Sequence, residues 1–205
     1  MRITKFTHSC VTFERDGRVL VVDPGVWSEP GALVGADAVL VTHEHTDHVD
    51  ALRLAGLDVP VYAPAEARID TLGLDLRVVP VSVGETFDAA GFSVRAVGGR
   101  HATVFDGRPD CANLGYIVEE SAYHPGDSLF VPDVPVHALF VPLQASWLKA
   151  AEAIEFVRAV RPELTVPIHE GQVNERGLAA LNSWLGETTG PGYRWLAPRQ
   201  SLLLA

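Results

Sequence analysis

The segment Thr42-His43-Glu44-His45-Thr46-Asp47-His48 constrains this chain more than any other stretch. It follows the apolar run Ala38-Val39-Leu40-Val41, which reads as a buried strand. Three histidines and an aspartate, all good metal donors, therefore cluster where a strand gives way to a loop. His43 and His45 are two apart, so in extended backbone their imidazoles point the same way. Asp47 and His48 open a helix read from about Val49 to Ala55, which Thr46 or Asp47 can cap. One short segment thus offers two ligands from a strand end and two from a helix start. That suits two adjacent metal ions better than one. The zincin pattern His-Glu-x-x-His is absent, because Asp47 stands where its second histidine would be.

The 205 residues make one ordinary domain, taken here as 1–205, and the 47% apolar fraction is ample for a packed interior. No window approaches the ~20 apolar residues of a membrane span. Met1 to Phe6 enters a strand pattern directly, without the apolar core of a signal peptide, so a cytoplasmic location and no membrane partner are expected. Cys10 and Cys111 are too few for a disulfide framework and read as two reduced, buried thiols. A net charge of −10 argues against a nucleic-acid partner, which would want a basic face. It leaves room for a small anionic substrate, because metal ions would supply local positive charge. Oligomeric state stays open.

Strand patterns run from Ile3 to His8, Cys10 to Glu14 and Arg18 to Val22, with Asp16-Gly17 as a hairpin turn. Ser28 to Gly31 starts a short helical turn. Beyond the histidine segment, Val59 to Ala63 and Arg77 to Val81 read as strands around a helix over Ala65 to Leu72. Glu85 to Ala89 and Phe92 to Val97 form a hairpin, and residues 102–112 a loop with turns at Asp106-Gly107 and Arg108-Pro109. Strands then follow at Asn113 to Glu119, Tyr123-His124, Val136 to Val141 and Leu164 to Ile168. Ser146 is expected to cap an amphipathic helix through Val160, and Leu178 to Leu185 is a last helix. Tyr193 to Leu196 and Leu202 to Leu204 are closing strands. Strands first and mixed units after, repeated twice, fit two facing sheets with helices outside. His43 and His45, His101, Asp127 and His169 each follow an apolar run, which places them in loops at a sheet edge, where sites are usually assembled.

The set His43-x-His45-x-Asp47-His48, His101, Asp127 in Gly-Asp-Ser and His169 in Pro-Ile-His-Glu-Gly resembles the five-part metal pattern of the metallo-β-lactamase superfamily. Thr7-His8-Ser9-Cys10, Asp23-Pro24 and His124-Pro125-Gly126-Asp127-Ser128 further resemble its ascorbate-6-phosphate lactonase-like branch. The resemblance covers nearly the whole chain and implies an α/β fold, a four-layer αββα sandwich. It implies His43, His45 and His101 around one ion, and Asp47, His48 and His169 around a second, with Asp127 bridging. Two divalent ions are expected, Zn²⁺ first, with Mn²⁺ or Fe²⁺ compatible with the same donors. Di-iron oxygen-reducing members of the superfamily carry an acid where His45 stands, which disfavours that chemistry. The implied reaction is metal-assisted hydrolysis of a small ester, lactone or phosphodiester by a shared, activated water, with Asp47 orienting it or taking its proton.

Other residues carry weaker expectations. His8 either lines the pocket, bonds a metal-bound carboxylate or serves as a cap. Asp23 is expected behind the ligands, holding a histidine or the strand turn. Arg100 and Arg108 are surface arginines able to hold an anionic group by forked hydrogen bonds. Trp147 reads as a packing residue or a wall of the pocket, Glu170 as pointing away from the metals, and Ser9 and Ser128 as structural. His124 and His137 read as non-ligands. The alternatives are a phosphodiesterase rather than a lactonase, or a non-catalytic metal-binding scaffold. Seven ligands for two ions leave coordination positions open, unlike a closed four-ligand structural zinc site, which favours catalysis.

Overall fold

The computed structural model describes residues 1–69, 74–106, 108 and 110–204. Two β-sheets form its centre. Along the first lie, in spatial order, Ser201–Leu203 (β13), Arg2–Lys5 (β1), Val11–Arg15 (β2), Arg18–Val22 (β3), Ala38–Leu40 (β4), Val61–Pro64 (β5) and Val78–Val81 (β6). The second runs Leu164–Ile168 (β12), Ala138–Pro142 (β11), Ala122–His124 (β10), Ala112–Val118 (β9), Phe92–Arg100 (β8) and Thr86–Ala89 (β7). Asp16 and Gly17, at φ 51° and 76°, make the left-handed pair that a two-residue hairpin between β2 and β3 requires.

Side-chain alternation sorts the apolar residues into layers. Leu20 and Val22 of β3 face inward with Ile3, Phe13 and Leu40, meeting Val94, Tyr116, Phe140 and Val166 of the second sheet. Val21, between them, faces outward with Val39 and Val61 and is covered by the 3₁₀ turn Pro30–Leu33 and by Leu54 of the one-turn helix Ala51–Leu54 (α1). Ile117, Leu139 and Val141 face outward from the second sheet against Ala150–Val160 (α2) and Glu175–Thr189 (α3). The result is the expected four-layer sandwich, with helical cover thin on the first sheet and fuller on the second.

Several local expectations need correction. Helix α1 starts later than expected, and neither Thr46 nor Asp47 caps it; Asp50 does, accepting the Arg53 N–H at 3.1 Å. Residues 65–69 are not helical and form a turn closed by Ala67 N–H to the Pro64 carbonyl; the rest of that expected helix, 70–72, lies outside the described residues. Gly107 and Pro109 of the expected loop turns also lie outside them. Ser146 does not cap α2, which begins at Ala150, with the Glu152 carboxylate accepting the Lys149 N–H at 2.8 Å. Tyr193 to Leu196 makes only a single bridge, Tyr193 to Thr165. No helix among the described residues is long and apolar enough to cross a membrane.

What the layers position is one edge. Strands β3 to β6 are mutually parallel, as are β10 to β12, so their C-terminal ends gather. There the two sheets are stitched together. Leu114 N–H donates to the Thr42 carbonyl (2.9 Å), Tyr116 Oη–H to the Val41 carbonyl (3.0 Å), and His169 N–H to the His8 carbonyl (3.1 Å). Phe140→Ala should cost about 3–5 kcal/mol in urea unfolding, because the ring is fully buried between the sheets. The exposed Phe105→Ala should stay within about 0.5 kcal/mol of the parent. Equal losses at the two positions would contradict this layering.

Candidate metal centre

The sheet edge begins with Asp23, which ends β3 in the left-handed region (φ 50°) and is fully buried. Its Oδ1 accepts the Thr42 N–H at 2.8 Å. Its Oδ2 accepts the Thr42 hydroxyl and His48 Nδ1–H, both at 2.7 Å. Thr42 Oγ1, its proton committed to Asp23, accepts from His43 Nδ1 at 3.0 Å. One carboxylate therefore orients two histidines, tying the Nδ1 of each and turning its Nε2 toward the cluster. Gly25 lets this loop close, since a Cβ there would lie 1.8 Å from the Asp47 carbonyl oxygen.

The other ligands arrive from the second sheet in the same state. His101, just after β8, donates Nδ1–H to the Ala102 carbonyl at 2.6 Å. His169, just after β12, donates Nδ1–H to the Gln144 carbonyl at 2.5 Å. Asp127, after β10, is placed by Asn113, whose Oδ1 accepts the Asp127 N–H at 2.9 Å and whose Nδ2 donates to the Pro125 carbonyl. Outer nitrogens tied to acceptors, with inner ones turned to a common point, are what metal-binding imidazoles require.

All seven expected ligands are brought together. The donor atoms of His43, His45 and His101 fall within 4.8 Å of one another, as do those of His43, His48 and Asp127, and those of His8, Asp47, His48 and His169. His43 Nε2 and His45 Nδ1 are 3.0 Å apart. Asp127 stands between the groups: Oδ1 lies 3.1 Å from His48 Nε2 and 3.2 Å from His169 Nε2, and Oδ2 lies 3.3 Å from His101 Nε2. His48 Nε2, His169 Nε2 and Asp127 Oδ1 are buried and crowd together at 3.1–3.2 Å without forming a well-aligned hydrogen bond, so the donor set fits divalent cations.

Electrostatics follow from this crowding. Burial, with His48 beside it, pushes His43 well below the usual imidazole range. Burial also disfavours a charged His48, yet the Asp127 and Asp23 carboxylates raise its pKa well above the ordinary value. Burial would raise Asp127, but His48 and His169 hold it well below the usual carboxylate range. Asp47, against its partial burial, is lowered to about 2 by His8 and His48. His8 is lowered to about 4, chiefly by burial.

Of the remaining expectations, Trp147 takes the pocket-wall role of its two: its Nε1–H donates to Asp127 Oδ2 at 3.0 Å, and it lines the cleft. Residues 145–148 form a bridged turn instead of a helix start, which brings the indole there. Cys111 is corrected, being half-buried with Sγ 4.0 Å from His45 Nε2, while Cys10 is fully buried. His124 bonds the Ser9 carbonyl and the Gly126 N–H, away from the cluster. His137 lies 3.2 Å from Glu163, outside the cluster. Ser128 donates to the Pro125 carbonyl. Glu170 points away, toward Lys5, a residue the sequence reading passed over. Arg100 is exposed, 3.9 Å from Glu66. It lines a 390 Å³ cavity with Arg68 and Arg108, and that cavity shares His45, His101, Val104 and Arg108 with the metal cleft.

The comparisons with known proteins agree with this geometry. A family model described as a β-lactamase superfamily domain matches residues 2–169. Protein Rv0786c of Mycobacterium tuberculosis is 40% identical over 184 residues, 84% of this chain and 85% of that one. A UPF0173 metal-dependent hydrolase of Methanopyrus kandleri is 29% identical over 204 residues, 83% of this chain and 84% of that one. Among solved structures, Igni18, a metallo hydrolase from Ignicoccus hospitalis, superposes with a TM-score of 0.75 at 19% identity, covering 98% of this chain and 97% of that one. With the family model spanning most of its length and its histidine-aspartate edge intact, the chain belongs to the β-lactamase superfamily domain family.

Proposed function

We propose that this protein is a metal-dependent hydrolase with two divalent ions, acting on a small ester, lactone or phosphodiester that carries an anionic group. The observation that carries this reading is the convergence on one point of the buried atoms His48 Nε2, His169 Nε2 and Asp127 Oδ1, none of which makes a well-aligned hydrogen bond. His43, His45 and His101 would hold one ion, Asp47, His48 and His169 the other, and Asp127 both. The nitrogen and oxygen donors suit Zn²⁺ and also accept Mn²⁺ or Fe²⁺. Such ions, when bound, lower the pKa of water and polarise the bond to be cleaved.

The chain's own residues supply the rest. Asp47, 20% exposed and ionised at neutral pH, lines the cleft and can accept a hydrogen bond from the attacking water, aiming it. Trp147 holds Asp127 and walls one side, leaving a 140 Å³ cleft at the cluster. Arg108 sits where that cleft meets the adjoining cavity, which Arg68 and Arg100 line together with Glu44, Glu66 and Asp110, a position from which its guanidinium can grip a carboxylate or phosphate of the leaving or acyl portion.

A chromogenic panel of lactones, carboxylate esters and phosphodiesters should show turnover that a chelator removes and Zn²⁺ or Mn²⁺ restores, and that His43→Ala or Asp127→Ala abolishes. Full activity in metal-stripped protein would overturn the reading. Asp23→Asn should weaken metal binding by about 10–100-fold in calorimetry, since it frees the outer nitrogen of His48; unchanged affinity would contradict the ordering drawn from Asp23. Arg108→Ala should raise KM about tenfold for an ester bearing a carboxylate while leaving a neutral ester unaffected. Equal effects on both esters would remove the anionic group from the proposal.

A further inference from the structure

His8 sits among the second group of donors and by proximity alone could be counted as a ligand. Its surroundings say otherwise. The loop carrying it and the loop after β12 are both held in left-handed backbone, at φ 67° for His8 and 65° for His169. Three hydrogen bonds clamp them. His169 N–H donates to the His8 carbonyl (3.1 Å), His8 N–H to Glu170 Oε1 (3.0 Å), and Gly171 N–H to His8 Nδ1 (3.1 Å). The last contact fixes the ring. A neutral imidazole whose Nδ1 accepts must carry its proton on Nε2. His8 Nε2 lies 3.1 Å from Asp47 Oδ2, so it donates there and has no lone pair left for a cation.

From this geometry we infer that His8 is a positioning residue that holds Asp47 Oδ2, and that the buried Lys5–Glu170 pair sets its orientation. The inference rests on the reading of Asp47 as a ligand of the second ion. Lys5 Nζ is fully buried, donates to Glu170 Oε1 at 2.6 Å and to the Phe6 carbonyl at 2.9 Å, and lies 5.4 Å from the Trp195 ring. Both charges are out of water, an arrangement justified only where the pair is well bonded. Here the same Oε1 also fixes the His8 backbone. Gly171 admits the ring, because a Cβ there would stand 2.9 Å from His8 Nδ1. Held this way, Asp47 is kept beside the donors, its Oδ2 3.9 Å from His48 Nε2, and the backbone of His169 is tied to that of His8. The second ion's site is therefore the one that depends on His8, while the site of His43, His45 and His101 does not.

Long-range ¹H–¹⁵N spectra of the full-length protein, with and without Zn²⁺, read this directly. His8 should show a protonated Nε2 and an unprotonated Nδ1 in both states, while the ligand histidines shift on zinc addition. Loss of the Nε2 proton on zinc binding would make His8 a ligand and overturn the inference. Zinc addition that shifts no histidine would instead sink the proposed function. In calorimetry, His8→Ala should weaken one of two zinc sites by about 10–100-fold and spare the other, and His8→Gln, which restores an N–H donor, should recover much of the loss. Equal weakening of both sites, or no recovery with Gln, would reduce His8 to a structural part of its loop.

Discussion

Polar atoms buried without partners are the constraint on which the rest of this structure depends. His48 Nε2, His169 Nε2 and Asp127 Oδ1 lie at the edge of an apolar sandwich, sealed from water. Leaving such a group unsatisfied costs roughly 1–3 kcal/mol. Three of the six such side-chain atoms among the described residues meet at this one point, and a close-packed interior fixes them there. The unsatisfied atoms come from three separate loops, and they converge only because the two sheets are registered by hydrogen bonds at the same edge.

Behind that point, the orienting groups form connected chains. Asp23 reaches a histidine of each proposed ion, His48 directly and His43 through Thr42. Lys5 and Glu170 reach Asp47 through His8. Asn113 reaches Asp127 through its backbone. Each chain begins at a fully buried residue and ends on a donor of the cluster. The cleft is shaped by a different kind of residue: Trp147 and Arg108 come from loops and line it, while Arg68 and Arg100, the latter ending β8, line the adjoining cavity. Precision thus resides in the sheet edge, and the contacts proposed for substrate lie on the segments around it.

The sequence made the layers and the donor cluster legible for one physical reason. Apolar runs such as Ala38 to Val41 and Leu164 to Ile168 end abruptly in histidine, and a strand's end is a defined place in a sandwich. It was less informative where structure depends on distant partners. Ala65 to Ile69 has helical composition, yet it follows β5 as an irregular turn. Ser146 looks like a cap, but residues 145–148 fold into a bridged turn that sends the Trp147 indole to Asp127. Asp50, one turn beyond the expected caps, closes α1 because residues 45–49 are occupied in presenting ligands. Lys5, the first strand's one charged inward side chain, and Glu170 are 165 positions apart. No local pattern joins them, and only the tertiary fold shows that each is the other's counter-ion.

Crystals grown with zinc and measured on both sides of the zinc absorption edge test the central claim most directly. The account predicts two anomalous peaks, one enclosed by His43, His45 and His101 and one by Asp47, His48 and His169, with the Asp127 carboxylate between them. A single peak, or peaks away from Asp127, would contradict it.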